Sequence, residues 1–292
     1  VTGSLLLWVR QLRVRQWPKN GFVLAPLFFS GQAARGDAEL AAVSASALFC
    51  LLASGAYCVN DVLDRDADRA HPSKRARPVA AGTISARRAL VVGLLLIAGS
   101  VVGGFLVGAL LGALMVAYLV LSILYNAVLK AVVILDVFAI GSFFVLRMMA
   151  GAAAIDAVPS VWLLLCGSLV SLYLAFTKRR QELGVLGVAG ETHRSVLGKY
   201  TTPFLDQVCT VLLAVTLVSY IMYTIESETA ALVANNAMVY STSFVLYGLF
   251  RYLYLVYREA RGGEPGETLF GDPPLLIAAA LWIAYCSWLI YG

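Results

Sequence analysis

Nine long apolar runs separated by short polar segments leave this chain few folds to adopt. They lie at about 17–30, 39–59, 88–110, 112–127, 133–155, 160–177, 204–225, 231–252 and 274–291. A membrane-spanning helix needs about 17–25 residues, and all but the shorter 17–30 and 112–127 stretches meet that length comfortably. Inside a bilayer each backbone N–H and C=O must be satisfied by protein, which makes helices the expected form. Only 13% of the residues are charged and 60% are hydrophobic, against about 25% charged in soluble domains. The expectation is an all-α integral membrane protein of about nine transmembrane helices, built as one domain over residues 1–292. Pro18 suits the first turn of the first helix and Pro26 kinks it. The stretch 103–112 (GGFLVGALLG) reads as a tight turn between two spans.

The basic residues set the orientation. With the N-terminus cytoplasmic, the segments on that side carry 20 of the 22 Lys and Arg, as the positive-inside rule requires. Arg35 falls outside and Arg147 lies within a span. The expected location is therefore the cell's inner (plasma) membrane, multi-pass, with the 60–87 and 178–203 loops cytoplasmic. Residues 1–16 mix Leu5, Leu6, Trp8, Val9 and Leu12 with arginines and suggest an interfacial amphipathic helix. Arg10, Arg13, Arg15 and Lys19 stand where a secretory signal has its apolar region, so no signal peptide is expected. The chain opens on Val, and its natural start is expected upstream. The five cysteines all sit in apolar runs without a CxxC and read as packing residues. His71 and His193 are the only histidines, which argues against a histidine-bound metal. No nucleic-acid partner is expected, and a homo-oligomer is left open.

One charged stretch interrupts this pattern, Asn60 to Arg77 (NDVLDRDADRAHPSKRAR). Asp61, Asp64 and Asp68 stand at i, i+3 and i+7, one face of a continued helix, and Asn60 joins that face. Asp66 points elsewhere. Such a stripe repels itself unless a cation sits on it. Oxygen ligands without His or Cys suit Mg²⁺, which usually takes one or two carboxylates plus substrate phosphates. A solvated loop between two spans is the plainer reading of a charge run. The helical register and the following Lys74, Arg75 and Arg77 favour metal and phosphate.

Other charges bear on the same question. Arg147 lies about 14 residues into the fifth run, where an Arg costs about 2.5–3.5 kcal/mol on insertion scales. It either bonds a neighbouring helix or lines a polar cavity. Asp136 is 11 residues earlier and about 16 Å away along a helix axis, too far to pair with it. Tyr125, Asn126 and Lys130 close the fourth run. Lys19, Lys130, Lys178 and Arg179 are all expected at helix ends on the side of the Asp stripe, which favours an anion site there. The spacing of the 60–87 and 178–203 loops hints at a weak internal repeat facing a shared cavity.

Asn60-Asp61-x-x-Asp64-x-x-x-Asp68, on the second expected helix, resembles the NDxxDxxxD signature of the UbiA superfamily of membrane prenyltransferases. The resemblance covers nearly the whole chain. It implies nine helices around a central cavity open sideways to lipid, with Asp-rich loops over its cytoplasmic mouth. It also implies Mg²⁺ held by Asn60, Asp61, Asp64 and Asp68, the three aspartates being the catalytic set. The superfamily usually has a second Asp-rich motif after the sixth helix. Here that position reads TKRRQEL, with Glu182 the only acid near its start. The set RQWPKN (15–20), NDxxDxxxD, YNxxLK (125–130), LRxxAG (146–151) and TKRRQEL is similar to one branch of the superfamily. Its members move 5-phosphoribosyl from 5-phosphoribosyl 1-diphosphate to a polyprenyl phosphate such as decaprenyl phosphate, for arabinan precursors of a bacterial cell wall. On that resemblance Lys178 and Arg179 grip donor phosphate. Lys19, Lys74, Arg75, Arg77 and Lys130 follow as further phosphate contacts, and Tyr125, Asn126, Arg147 and Glu182 complete the candidate substrate site.

Two rivals stand beside this reading. An aromatic prenyltransferase with a prenyl diphosphate donor is disfavoured by the missing second Asp motif. A lipid-phosphate transporter or flippase is disfavoured by the acidic stripe, because a phosphate path without metal has no use for three carboxylates.

Overall fold

The computed structural model describes residues 2–70, 74–186, 196–259 and 265–292. His71, His193 and the Gly262-Gly263 pair lie outside the described residues. All regular structure among those described is helical. In chain order the α-helices are α1 (Thr2–Gln11), α2 (Ala25–Phe29), α3 (Gly36–Leu63), α4 (Arg65–Ala70), α5 (Ala86–Val107), α6 (Ala109–Ala127), α7 (Leu135–Ala154), α8 (Val161–Leu186), α9 (Thr202–Glu226), α10 (Glu228–Ala231), α11 (Thr242–Arg258), α12 (Pro265–Gly271) and α13 (Pro273–Tyr291). Seven of them, α3 and α5 to α9 with α13, are long and apolar enough to cross a membrane. α1 occupies the stretch expected as an interfacial helix, and Gly108, in extended conformation, makes the expected break between α5 and α6.

Besides the break at Gly108, two of the nine apolar runs begin in 3-10 helix. Run 17–30 is a 3-10 helix over Val14–Leu24 followed by the five-residue α2. Run 231–252 begins as a 3-10 helix over Ala234–Ser241, and only then enters α11, of 17 residues. Asn236 there takes a positive φ of 51°, a conformation Asn tolerates better than most residues.

The chain divides into two compact units. The first comprises Val1–Phe28, Arg35–Ile123 and Leu146–Val158. Its central packing is α3 on α5, brought close by small residues as in many membrane helix pairs. A Cβ on Gly55 would fall 2.7 Å from the Gly93 carbonyl oxygen, and one on Gly93 would fall 3.0 Å from that of Gly55. The 3-10 segment runs antiparallel along another face of α3. Runs of 3-10 helix beyond 3–4 residues are uncommon, and this one has 11. A ladder of polar and sulfur groups on α3 holds its side chains and backbone. Ser46 Oγ donates to the Asn20 carbonyl (3.5 Å) and Asn20 Nδ2 donates to Cys50 Sγ (3.2 Å). Trp17 Nε1 donates to Ser54 Oγ (3.0 Å), which itself donates to the Leu12 carbonyl (2.8 Å). Gln11 Nε2 reaches Cys58 Sγ (3.9 Å) and Asp61 Oδ2 (3.1 Å). The rungs 46, 50, 54, 58 and 61 recur at three- and four-residue steps, one stripe of a helix.

The end of α7 clamps the same segment. A Cβ on Gly151 would run into the Val23 carbonyl oxygen, so only glycine lets the two backbones approach. Gly151→Ala is expected to cost about 1–3 kcal/mol as an overpacking change. A thermal-unfolding midpoint in detergent equal to the wild type would refute this contact.

The second unit comprises Phe29–Ala34, Leu124–Val145 and Pro159–Gly292. α8 packs on α9, and α11 on α13. Val137, Tyr173, Phe176, Leu205, Cys209 and Leu255 lie in its core. Aromatic side chains close one end of this unit. Phe29 meets Tyr223 edge-on at 5.8 Å, and Trp282 Nε1 donates to Tyr220 Oη at 2.6 Å. All five cysteines are free thiols, as their apolar settings suggested.

Candidate functional site

The acidic stretch in the first unit is not one continuous helix. α3 ends at Leu63 and Asp64 caps it at φ −88°, ψ 6°. The i to i−4 pattern survives the break, because Asp64 N–H donates to the Asn60 carbonyl (2.9 Å) and Asp68 N–H to the Asp64 carbonyl (2.8 Å). Register is therefore carried across, and Asp61 and Asp68 end up on a common inner face. They are 2% and 3% exposed. Asp66 turns outward, with its side chain 82% exposed, and pairs with Arg65 and Arg69. Asn60 and Asp64 are half-buried.

Cations converge on the two buried carboxylates. A single nitrogen of Arg77, Nη1, donates to Asp61 Oδ1 at 3.2 Å and to Asp68 Oδ2 at 2.7 Å. Arg13 Nη2 lies 2.5 Å from the same Asp61 Oδ1, with its guanidinium 4.4 Å above the Tyr57 ring. Arg13 adopts a left-handed backbone, φ 50°; strained conformations of non-glycine residues persist where the surroundings enforce them. Gln11 holds the other carboxylate oxygen of Asp61. Burial without pairing would cost a carboxylate several kcal/mol, and these three side chains remove that cost.

The donor chemistry of this centre fits a hard divalent cation. Asp61, Asp64 and Asp68 offer carboxylate oxygens and Asn60 an amide oxygen. Gln11, fully buried, has its amide oxygen Oε1 without a hydrogen-bond partner among the described residues. Among the described residues no three acidic, His or Cys groups are already converged as a metal cage. Arg77 bridges the carboxylates instead.

The second unit holds a similar arrangement around Arg179. Arg179 is 1% exposed; its Nε donates to Asp136 Oδ2 (2.8 Å) and its Nη1 to Glu182 Oε2 (2.7 Å). Tyr200 Oη donates to Asp136 Oδ1 (2.8 Å) and accepts from the N–H of Ile134 (2.7 Å), a residue at φ 70°. Burial foremost, then the neighbouring Asp136 carboxylate, pushes the Tyr200 phenol up to about 12. It stays protonated and donating throughout the physiological range. Arg180 points to a separate place, its Nε 2.5 Å from Asp206 Oδ1 and its guanidinium stacked 4.0 Å over Tyr257.

Arg147, in the first unit, is 5% exposed. Its Nε donates to Asn20 Oδ1 (2.7 Å) and its Nη2 to Tyr118 Oη (2.9 Å). Of the two roles open to it, the bond to a neighbouring segment is the one observed. The RQWPKN and LRxxAG stretches, far apart in sequence, thus meet through Arg147 and Asn20, and Gly151 packs on Val23 just beyond.

The remaining candidates are distributed as follows. Lys19 and Lys74 are half-buried and Arg75 is exposed in the first unit. Tyr125, Asn126, Lys130 and Lys178 are half-buried in the second, with the Tyr125 ring edge-on to Phe143 at 6.1 Å. Sequence reasoning missed Gln11 and Arg13 because α1 reads as an interfacial element. The available signal was the stripe 46, 50, 54, 58, 61 on a membrane helix, which announces a polar neighbour.

Comparisons with known proteins agree with this architecture. A family model described as the UbiA prenyltransferase family matches residues 23–266. Decaprenyl-phosphate phosphoribosyltransferase of Mycolicibacterium smegmatis is 34% identical, over 97% of this chain and 92% of that protein. The protein of that description from Mycobacterium tuberculosis is 32% identical, over 94% and 91%. A solved structure of a UbiA homolog from Archaeoglobus fulgidus, bound to DMAPP and Mg²⁺, matches with a TM-score of 0.72 at 19% identity, over 97% of this chain and 98% of its own. At that identity the likeness speaks to the fold.

Proposed function

The chain belongs to the UbiA prenyltransferase family, and on that premise we propose that it transfers 5-phosphoribosyl from 5-phosphoribosyl 1-diphosphate to a polyprenyl phosphate, releasing diphosphate. The observation that carries this reading is the full-length likeness to decaprenyl-phosphate phosphoribosyltransferases. The buried Asp61–Arg77–Asp68 centre and the cationic TKRRQEL stretch support it chemically.

Asp61, Asp64 and Asp68, with Asn60, are the residues that would hold Mg²⁺. A bound Mg²⁺ supplies neutralisation of the charge that grows on the departing diphosphate. The bond from C1 to the diphosphate oxygen breaks with its electron pair leaving on diphosphate. A phosphate oxygen of the acceptor forms the new bond at C1, with inversion there. That oxygen is already anionic, so no strong general base is required. Catalysis then rests on positioning and on electrostatic stabilisation of the leaving group. Lys178 is the preferred donor-phosphate contact in its segment. Lys19, Lys74, Arg75 and Lys130 serve as further phosphate contacts, and Tyr125 and Asn126 as substrate contacts. Arg147, Arg179 and Glu182 act through the networks they hold. The reading includes nine membrane passes in one domain, a cytoplasmic N-terminus and a cytoplasmic active site at the plasma membrane.

The test is a donor comparison on purified protein in lipid. Labelled phosphoribosyl diphosphate should transfer its label to polyprenyl phosphate in a Mg²⁺-dependent reaction with diphosphate release. Transfer from a labelled prenyl diphosphate instead would replace this reading with ordinary prenyl transfer.

A further inference from the structure

The Arg77 bridge carries an inference about how the centre is loaded. Two carboxylates, their side chains 3% and 4% exposed, share one guanidinium nitrogen. That nitrogen holds the position between them that a shared cation takes. The two buried carboxylates, Asp61 and Asp68, are matched by Arg77 and Arg13, and the half-buried Asp64 adds one further negative charge. A divalent ion entering alone would leave these groups with one uncompensated positive charge. An ion entering with a diphosphate would not. Arg77 is the more releasable of the two arginines. Exposure does not separate them, at 29% for the Arg77 side chain and 26% for that of Arg13, and the difference lies in how Arg13 is held. Arg13 is fixed by its left-handed backbone and by Tyr57. Gln11 Oε1, fully buried and without a hydrogen-bond partner among the described residues, is a second sign that the centre has a cation ligand to offer.

We propose that Arg77 is an exchangeable counter-ion. It holds Asp61 and Asp68 together until a divalent metal arrives with diphosphate, then leaves the carboxylates and pairs with that diphosphate through its fork of donors. Metal and diphosphate affinities are then coupled, each raising the other by the same factor. The proposal rests on the metal-diphosphate reading given above but not on the identity of the sugar.

The experiment measures Mn²⁺ binding by electron paramagnetic resonance on the full-length protein in nanodiscs, with inorganic diphosphate as the second probe. An adjacent cation lowers a carboxylate's affinity for a proton by one to three pKa units. By the same repulsion, Arg77→Gln should bind Mn²⁺ alone on the order of tenfold more tightly than wild type. It should also lose most of the gain that diphosphate gives. Arg77→Lys, which keeps the charge, should bind Mn²⁺ alone as weakly as wild type. A wild-type measurement covers the case in which Arg77→Gln does not assemble. Mn²⁺ should speed phenylglyoxal labelling of Arg77, read by peptide mass, and diphosphate should then protect it. Equal or weaker Mn²⁺ binding in Arg77→Gln, or a labelling rate indifferent to Mn²⁺, makes Arg77 a fixed strut and overturns the exchange. Failure of the wild type to bind Mn²⁺ under any condition overturns the metal reading itself, a separate result.

Discussion

Asp61→Asn is expected to reduce phosphoribosyl transfer by on the order of a thousandfold, the scale seen when a group that stabilises transition-state charge is removed. Folding should survive it. The asparagine is nearly isosteric, Gln11 can still hydrogen-bond to its amide oxygen, Arg77 can turn its part-exposed side chain to water, and Arg13 keeps its place over the Tyr57 ring. Asp64→Asn should behave alike, since Asp64 caps α3 through its backbone. Asp66→Ala provides the internal comparison. It lies two residues from Asp64 in the same charged stretch, yet its side chain is 82% exposed and among the described residues pairs with Arg65 and Arg69. Exposed substitutions of this kind stay within about 0.5 kcal/mol, and its turnover should remain close to wild type. Steady-state rates together with thermal unfolding in detergent decide the matter. An Asp66→Ala variant as inactive as Asp61→Asn would show that the buried face is not the reacting one.

Arg179→Gln and Lys178→Gln should fail in different ways, although the two residues are neighbours. Arg179 is enclosed, with Asp136 and Glu182 on its guanidinium and Tyr200 on the far oxygen of Asp136. Removing the guanidinium takes the Arg179 ion pair away from Asp136, which is fully buried. Breaking one side of a buried ion pair costs about 3–5 kcal/mol, so Arg179→Gln should unfold at markedly lower temperature. Lys178 is half-buried at the same turn of α8. If it contacts donor phosphate, Lys178→Gln should keep its unfolding midpoint and lose about 1.5–3 kcal/mol of donor interaction. That corresponds to a rise in the donor KM of roughly tenfold to over a hundredfold, with the KM for polyprenyl phosphate little changed. A normal unfolding midpoint with a raised donor KM in Arg179→Gln would return Arg179 to the role of direct phosphate ligand.

The amino-acid sequence by itself determined the all-helical membrane class, because long apolar runs have few other ways to satisfy their backbones in lipid. It also separated Asp66 from Asp61 and Asp68, since residues seven apart return to one helical face and residues five apart do not. These are local consequences of periodicity and solvent preference. Other features depend on which segments meet. The run at 17–30 has helical composition, yet its first part is a 3-10 strap, held to a polar stripe on α3 through Trp17 and Asn20. Gln11 and Arg13 enter the Asp61 centre only because that strap folds back along α3. The sequence placed a cation at 179, and only packing decided that two carboxylates, one of them 43 residues away, would enclose it. Hydrogen bonds and ion pairs act over about 3 Å, and no spacing rule brings residues that far apart in the chain to that distance. Tertiary structure alone settled which of these charges face one another.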